Sequence, residues 1–293
     1  MAVSLQDAID IHIHAGPELF RRIGDAAEIA QRAKDAGMAG VAYKCHHEST
    51  VTRAYFAERM VEGIQVFGGI TLNGFVGGIN PIAVKGALDS GAKIVWMPTM
   101  HARNHIAEFG AGTYGISSMT LSEGATDIEG ITVLDDSGQL TPETEQIIRM
   151  VADANAVLMT SHLGADEIRA VVRRCTEIGA RSVLTHAYFL PRGPLKLFTE
   201  VADLGAVIEL SAVISFPMAI HQQHWMTLQE AKDLIDAVGY DRVVISTDSG
   251  QPFNPWPPDA LQMFVNALED IGVPETHLRH MITVCPRQVL GIL

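Results

Sequence analysis

The chain has 293 residues, 47% of them hydrophobic and 19% charged, a composition too apolar for a disordered chain and sufficient for a large core. Lysine and arginine number 21 against 34 aspartates and glutamates, and the net charge of -13 argues against a nucleic-acid or anionic-membrane partner, though a local cationic site could still take a small anion. The three cysteines, Cys45, Cys175 and Cys285, lie far apart without CxxC spacing; this excludes a disulfide framework and a zinc knuckle and fits a reducing compartment.

The opening MAVSLQDAIDIHIHAG has no cationic stretch leading into an apolar one, and no run of about 18 apolar residues occurs, so a soluble, cytoplasmic protein is expected. Short apolar, β-branched runs then alternate with segments of helical period, the pattern of βα units and a parallel sheet. Strands are expected at 8–14, 40–45, 65–73 and 93–99, then at 156–162, 182–187, 206–211 and 242–250. Eight units predict one (β/α)8 barrel domain over residues 1–293. Helices at 25–37, 165–179 and 228–239 each end on a glycine suited to closing a helix: Gly37, Gly179 and Gly239.

Residues 100–141 are too long and glycine-rich for an ordinary βα loop and read as an active-site insertion after the fourth strand. Its tail predicts a small hairpin turning at Asp136, Ser137 and Gly138, followed by a helix capped by Thr141 with Pro142 in its first turn. Irregular segments at 215–227 and 251–259 follow the seventh and eighth strands, on the same face of a barrel.

Strand alternation puts Asp10, His12 and His14 on one side of AIDIHIH, where two imidazoles could share a metal. His162, His186 and Asp248 each fall at the C-terminal end of a different predicted strand, the face on which barrel active sites assemble. Imidazole with carboxylate suits a borderline divalent metal, zinc first, with one or two ions per chain.

Lys44, Cys45, His46 and His47 crowd the end of the second strand. Lys44 is expected to bind substrate or the developing charge of the transition state, with His47 as a second substrate group. His101, Arg103 and His105 open the insertion and could cover the metal, which would suit an anionic substrate; a polar loop facing solvent accounts for them equally, and the same holds for His221 and His224. No strand-to-helix GxGxxG, no GxxxxGK[ST] and no nucleophile elbow occurs, so nucleotide cofactors and serine-hydrolase chemistry gain no support.

HxH on the first strand, single histidines on the fifth and sixth and an aspartate on the eighth resemble the amidohydrolase superfamily, over the whole barrel. The resemblance implies that His12, His14, His162, His186 and Asp248 hold one or two divalent metals that activate water, and that Asp248 also accepts the water's proton. Binuclear members commonly carry a carboxylated lysine at the end of the fourth strand; here that strand ends Met97, Pro98, Thr99, and Lys44 on the second strand could be carboxylated instead, or pair with an acidic neighbour. The expected activity is hydrolysis of an ester, lactone or amide in a small-molecule substrate. Non-oxidative decarboxylation, known within the same superfamily, is the first alternative, and a non-catalytic metal- or ligand-binding barrel the second. The exposed helices of a barrel commonly support self-association, so a homo-oligomer is expected.

Overall fold

A computed structural model describes residues 2–122, 128–190, 193–216 and 226–293. Every predicted strand is present: β1 (Ile9–His14), β2 (Gly40–Lys44), β3 (Gln65–Phe67), β4 (Gly69–Thr71), β5 (Ile94–Trp96), β6 (Val157–Met159), β7 (Arg181–Leu184), β8 (Val207–Ser211) and β9 (Val243–Ser246). β3 and β4 are the single predicted strand 65–73, divided at Gly68. A Cβ there would sit 2.6 Å from the Val51 Cα, so only glycine lets the preceding helix pass this close.

All strand pairs are parallel, in the orders β1-β2-β3 and β4-β5-β6-β7-β8-β9. The first and last strands also meet: Asp248 N donates to His12 O at 2.8 Å and His14 N to Ser249 O at 2.8 Å. At this seam a Cβ on Gly250 would fall 2.0 Å from His14 O, and Gly250 has φ +135. The result is an eight-unit α/β barrel.

The helices are α1 (Ala26–Asp35), α2 (Val51–Met60), α3 (Pro81–Asp89), α4 (Arg103–Phe109), α5 (Pro142–Asp153), α6 (Ala165–Ile178), α7 (Leu195–Asp203), α8 (Leu228–Val238), α9 (Pro257–Asp270) and α10 (Glu275–Leu290). Helix α1 buries Ala26, Ile29, Ala30 and Ala33, the i, i+3, i+4, i+7 stripe of a helix lying on a sheet, and Asp25 and Glu28 form its capping box. Thr141 caps α5 by accepting from Thr144 N, and Gly179 ends α6 at φ 74, as their sequences predict. Among the described residues no helix is long and apolar enough to cross a membrane.

Inside the barrel Ile9, Ile11, Ala42, Ile94, Trp96, Val157, Met159, Val183 and Val244 pack together, joined by Cys285, Val289 and Leu290 of α10. Helix α10 therefore stoppers the end at which the strands begin. The strands deliver their polar residues to the other end. There the insertion starts with α4 and is tied back by Arg103 N to Ile131 O at 2.8 Å and Ile131 N to His101 O at 2.8 Å. Its tail turns where expected: Leu134 and Leu140 form an antiparallel bridge, and Gly138 N donates to Asp135 O.

Candidate metal centre

Strict alternation along β1 does not survive. Its register against β2 slips between Asp10 and Ile13, so Ile9 and Ile11 join the barrel interior while His12 and His14 still meet at the exit. Asp10 leaves the histidine group. Its carboxylate accepts from His12 N (3.1 Å), Thr247 N (3.1 Å) and Thr247 Oγ1 (2.6 Å), and burial lifts its pKa to about 7.

The remaining strand-end residues converge. Asp248 Oδ1 lies 3.1 Å from both His12 Nε2 and His14 Nε2. His162 Nε2 lies 3.2 Å from His186 Nε2, and the His12 and His186 ring centroids are 5.8 Å apart. His14, Lys44, His46, Tyr114, His162, His186 and Asp248 surround a hollow of about 20 Å³, room for roughly one water. A larger concavity, about 680 Å³ beside Glu58, Arg59 and Glu62, is an open furrow lined by no histidine.

The outer partners of the rings fix their tautomers. Thr113 O can only accept, so His105 Nε2 donates to it (2.9 Å) and the neutral ring offers Nδ1 as acceptor. His162 Nδ1 must then donate to His105 Nδ1 (2.7 Å), leaving a lone pair on His162 Nε2 facing His186. Burial keeps both rings neutral: His105 falls to about 4, and His162 lies far below the ordinary histidine value, its two histidine neighbours adding to the effect. On the other side His12 Nδ1 donates to Glu209 Oε1 at 3.0 Å, which again leaves Nε2 toward Asp248. Glu209 is itself held, accepting from Ser246 Oγ (2.7 Å) and His186 N (2.8 Å).

His14 Nδ1 lies 3.0 Å from Arg22 Nη2 and 3.4 Å from Glu18 Oε2. Arg22 can only donate, so Nδ1 accepts from it and the proton of the neutral ring sits on Nε2, facing Asp248 Oδ1 at 3.1 Å. Glu18 also bonds Arg22 and the His46 Nδ1, and His46 Nε2 meets the Tyr114 hydroxyl at 2.9 Å. His186 is the exception: its buried Nδ1 has no partner among the described residues.

These donors fit a divalent cation. His12, His14 and Asp248 offer atoms within 4.8 Å of one another. Burial and the Lys44 ammonium oppose a proton on His12, yet the Asp248 and Glu209 carboxylates outweigh them and raise its pKa to about 9. Two carboxylates that favour a proton on this ring also favour a cation in its place. Burial first, then Lys44, lowers His186 to about 3, so it is a neutral nitrogen donor. Ser161, His186 and Asp248 hold left-handed φ values of 51, 34 and 52, and this turn-out at three strand exits swings the side chains over the barrel mouth.

The structure thus brings together His12, His14, His162, His186, Asp248 and Lys44, whose Nζ is 3.0 Å from His12 Nε2. His105 stands behind His162 rather than over the hollow. His47 is turned aside, its Nδ1 3.2 Å from the Cys45 Sγ and its ring edge-on to Phe75; His46 takes the inward position. His101 is buried and accepts from Gly74 N at 2.9 Å, and Arg103 is exposed at the start of α4; neither lines the hollow. His221 and His224 lie outside the described residues. Glu18, Arg22, His46, Tyr114 and Glu209 belong to the site and were not among the predicted site residues.

A family model described as a family of unknown function, DUF6282, matches residues 7–209. No curated protein matches the chain in sequence. Solved structures similar in fold include an amidohydrolase from Pseudomonas aeruginosa (15% identity, 97% of this chain and 96% of that one, TM-score 0.57). A probable dipeptidase from the same organism gives 12% identity, 97% and 94% coverage and a TM-score of 0.62. Organophosphorus hydrolase from Deinococcus radiodurans gives 13%, 98% and 94%, and 0.60. The likeness to amidohydrolases expected from the strand-end residues thus holds across the whole fold.

Proposed function

The chain belongs to the DUF6282 family, a family of unknown function, and from that premise we propose that it is a metal-dependent hydrolase of a small ester, lactone or amide. One observation carries the reading: buried partners fix the outer nitrogens of His12 and His162 as donors, leaving their Nε2 atoms inward in the group that includes His14, His186 and Asp248. Hydrolases among the fold neighbours support it.

A divalent metal, zinc on the imidazole and carboxylate donors present, would polarise the carbonyl and lower the pKa of a water there toward neutrality. His12, His14, His162, His186 and Asp248 would hold it, as one ion or two. Asp248 accepts the attacking water's proton; its carboxylate resists burial because His12 and His14 hold its pKa well below the ordinary aspartate value. Lys44 lies close enough to donate to the developing oxyanion, and Tyr114 lines the same hollow as a second polar wall.

Non-oxidative decarboxylation is favoured by one observation, the unheld His186 Nδ1, which suits a proton carrier better than a fixed ligand.

The test is elemental analysis of wild type and His12→Ala beside a screen of lactones, esters and amides with and without chelator. The reading expects about one or two zinc-like ions per chain, lost together with turnover in the variant and on chelation. Full activity in metal-free protein would sink it.

A further inference from the structure

Next to the hollow lies a larger chamber of about 270 Å³, room for on the order of nine waters. Phe20, Met119, Pro252 and Phe253 give it apolar walls, Arg21 and Arg22 line it as well, and no acidic residue does so among those described. Met119 and Gln251 border both spaces, so the chamber adjoins the hollow. Phe20 is the partition, lying edge-on to His46 and Tyr114, 5.6 and 6.1 Å between centroids.

Arg22 is the unusual group. Its side chain is 1% exposed; Nε and Nη2 are engaged by Glu18, and Nη2 also by His14. Nη1 is buried and has no hydrogen-bond partner among the described residues. A buried guanidinium nitrogen left unsatisfied costs stability unless a ligand supplies an acceptor. The charges indicate which acceptor. Glu18 balances Arg22, and the exposed Arg21 leaves the chamber one positive charge in excess inside a chain of net charge -13. A single carboxylate answers both the free donor and that charge, while the apolar walls call for a ring-sized hydrocarbon body.

We propose that this chamber is the substrate subsite, that Arg22 Nη1 binds the substrate's carboxylate there, and that the substrate is a small monocarboxylate with an apolar body. The inference rests on the hydrolase reading for what happens next, in the hollow, but binding itself requires no turnover. Arg21 draws the anion to the mouth and Arg22 clasps it within.

The experiment is calorimetric titration of the metal-loaded protein with phenylacetate and with its neutral isostere phenylacetamide, repeated on Arg22→Gln and Phe253→Ala. Phenylacetate should bind at least tenfold more tightly than phenylacetamide. Arg22→Gln should erase that preference, and Phe253→Ala should weaken both ligands alike. Equal binding of the two by wild type, or no binding of either, overturns the proposal even if Arg22→Gln fails to fold. A preference that survives in Arg22→Gln but vanishes with chelator also overturns it, since the carboxylate would then be on the metal. If the carboxylate preference holds while no ester or amide is turned over, the subsite stands and only the hydrolase reading falls.

Discussion

The two ends of the barrel are built from the same strands under opposite rules. At the end stoppered by α10, Ile9, Ile11, Trp96, Met159 and Val244 meet Val289 and Leu290, all apolar. At the other end the same strands finish in His12, His14, His162, His186 and Asp248, fully or almost fully buried but for the partly exposed Asp248, with left-handed backbone at two of them. The first end derives its stability from contact area, the second only from mutual hydrogen bonding and charge. Stability and chemistry are thus separated along one axis, and substitutions at the two ends should report on different properties.

The largest effect is expected at the polar end. Asp248→Asn keeps the shape but removes the proton acceptor, and kcat should fall about 10³-fold, about 4 kcal/mol in the barrier, with little loss of folding; unchanged kcat would take the chemistry away from this end. Leu290→Ala at the stopper should cost about 2–5 kcal/mol in denaturant unfolding while metal content per folded chain stays that of wild type. Were metal lost with it, the two ends would not be separable. Glu209→Gln unlocks the His12 tautomer and should weaken metal binding about 10- to 100-fold in a competition titration, with kcat at saturating metal changed less.

Acid should expose the contrast more gently. Burial holds His46 and His186 to about 3 and His105 to about 4. Unfolded histidines take up protons near pH 6.5. Between about pH 6.5 and 4 the unfolded chain therefore binds more protons at these three positions, and stability falls as pH falls, by about 1.4 kcal/mol per unit for each. Asp10, raised to about 7, acts the other way, binding its proton in the folded state and gaining stability as pH falls from 7 toward 4. Three histidines against one aspartate leave acid destabilising. A thermal-melt series on chelated protein should show a falling Tm over this range, and a flat one would mean these rings protonate in place.

The apolar end was legible from the sequence, because alternating β-branched runs and helical stripes reflect burial directly. The convergence of His12, His14, His162, His186 and Asp248 was legible too, as polar types at strand ends where a barrel can use them. The slip in β1 was not, since a bulge leaves no mark in the residue types; Asp10 was therefore grouped with the wrong face. The choice of His47 over His46 overlooked an available signal: His46 is two residues beyond Lys44 and shares its direction. Glu209 offered another, a lone carboxylate in a buried apolar strand. Glu18, Arg22 and Tyr114 come from loops, whose path depends on contacts made far along the chain, as does the placement of His101 and Arg103.

The left-handed turn at Ser161 gives protein engineers a place to raise heat tolerance without touching the site. Its φ of 51 strains any residue with a Cβ, and its buried hydroxyl has no partner among the described residues. Ser161→Gly should remove about 1–2 kcal/mol of backbone strain and about 1 kcal/mol or more of desolvated hydroxyl, against about 1 kcal/mol of added freedom in the unfolded chain. A Tm raised by a few degrees with unchanged metal content would mark this position as slack that the neighbouring His162 does not need.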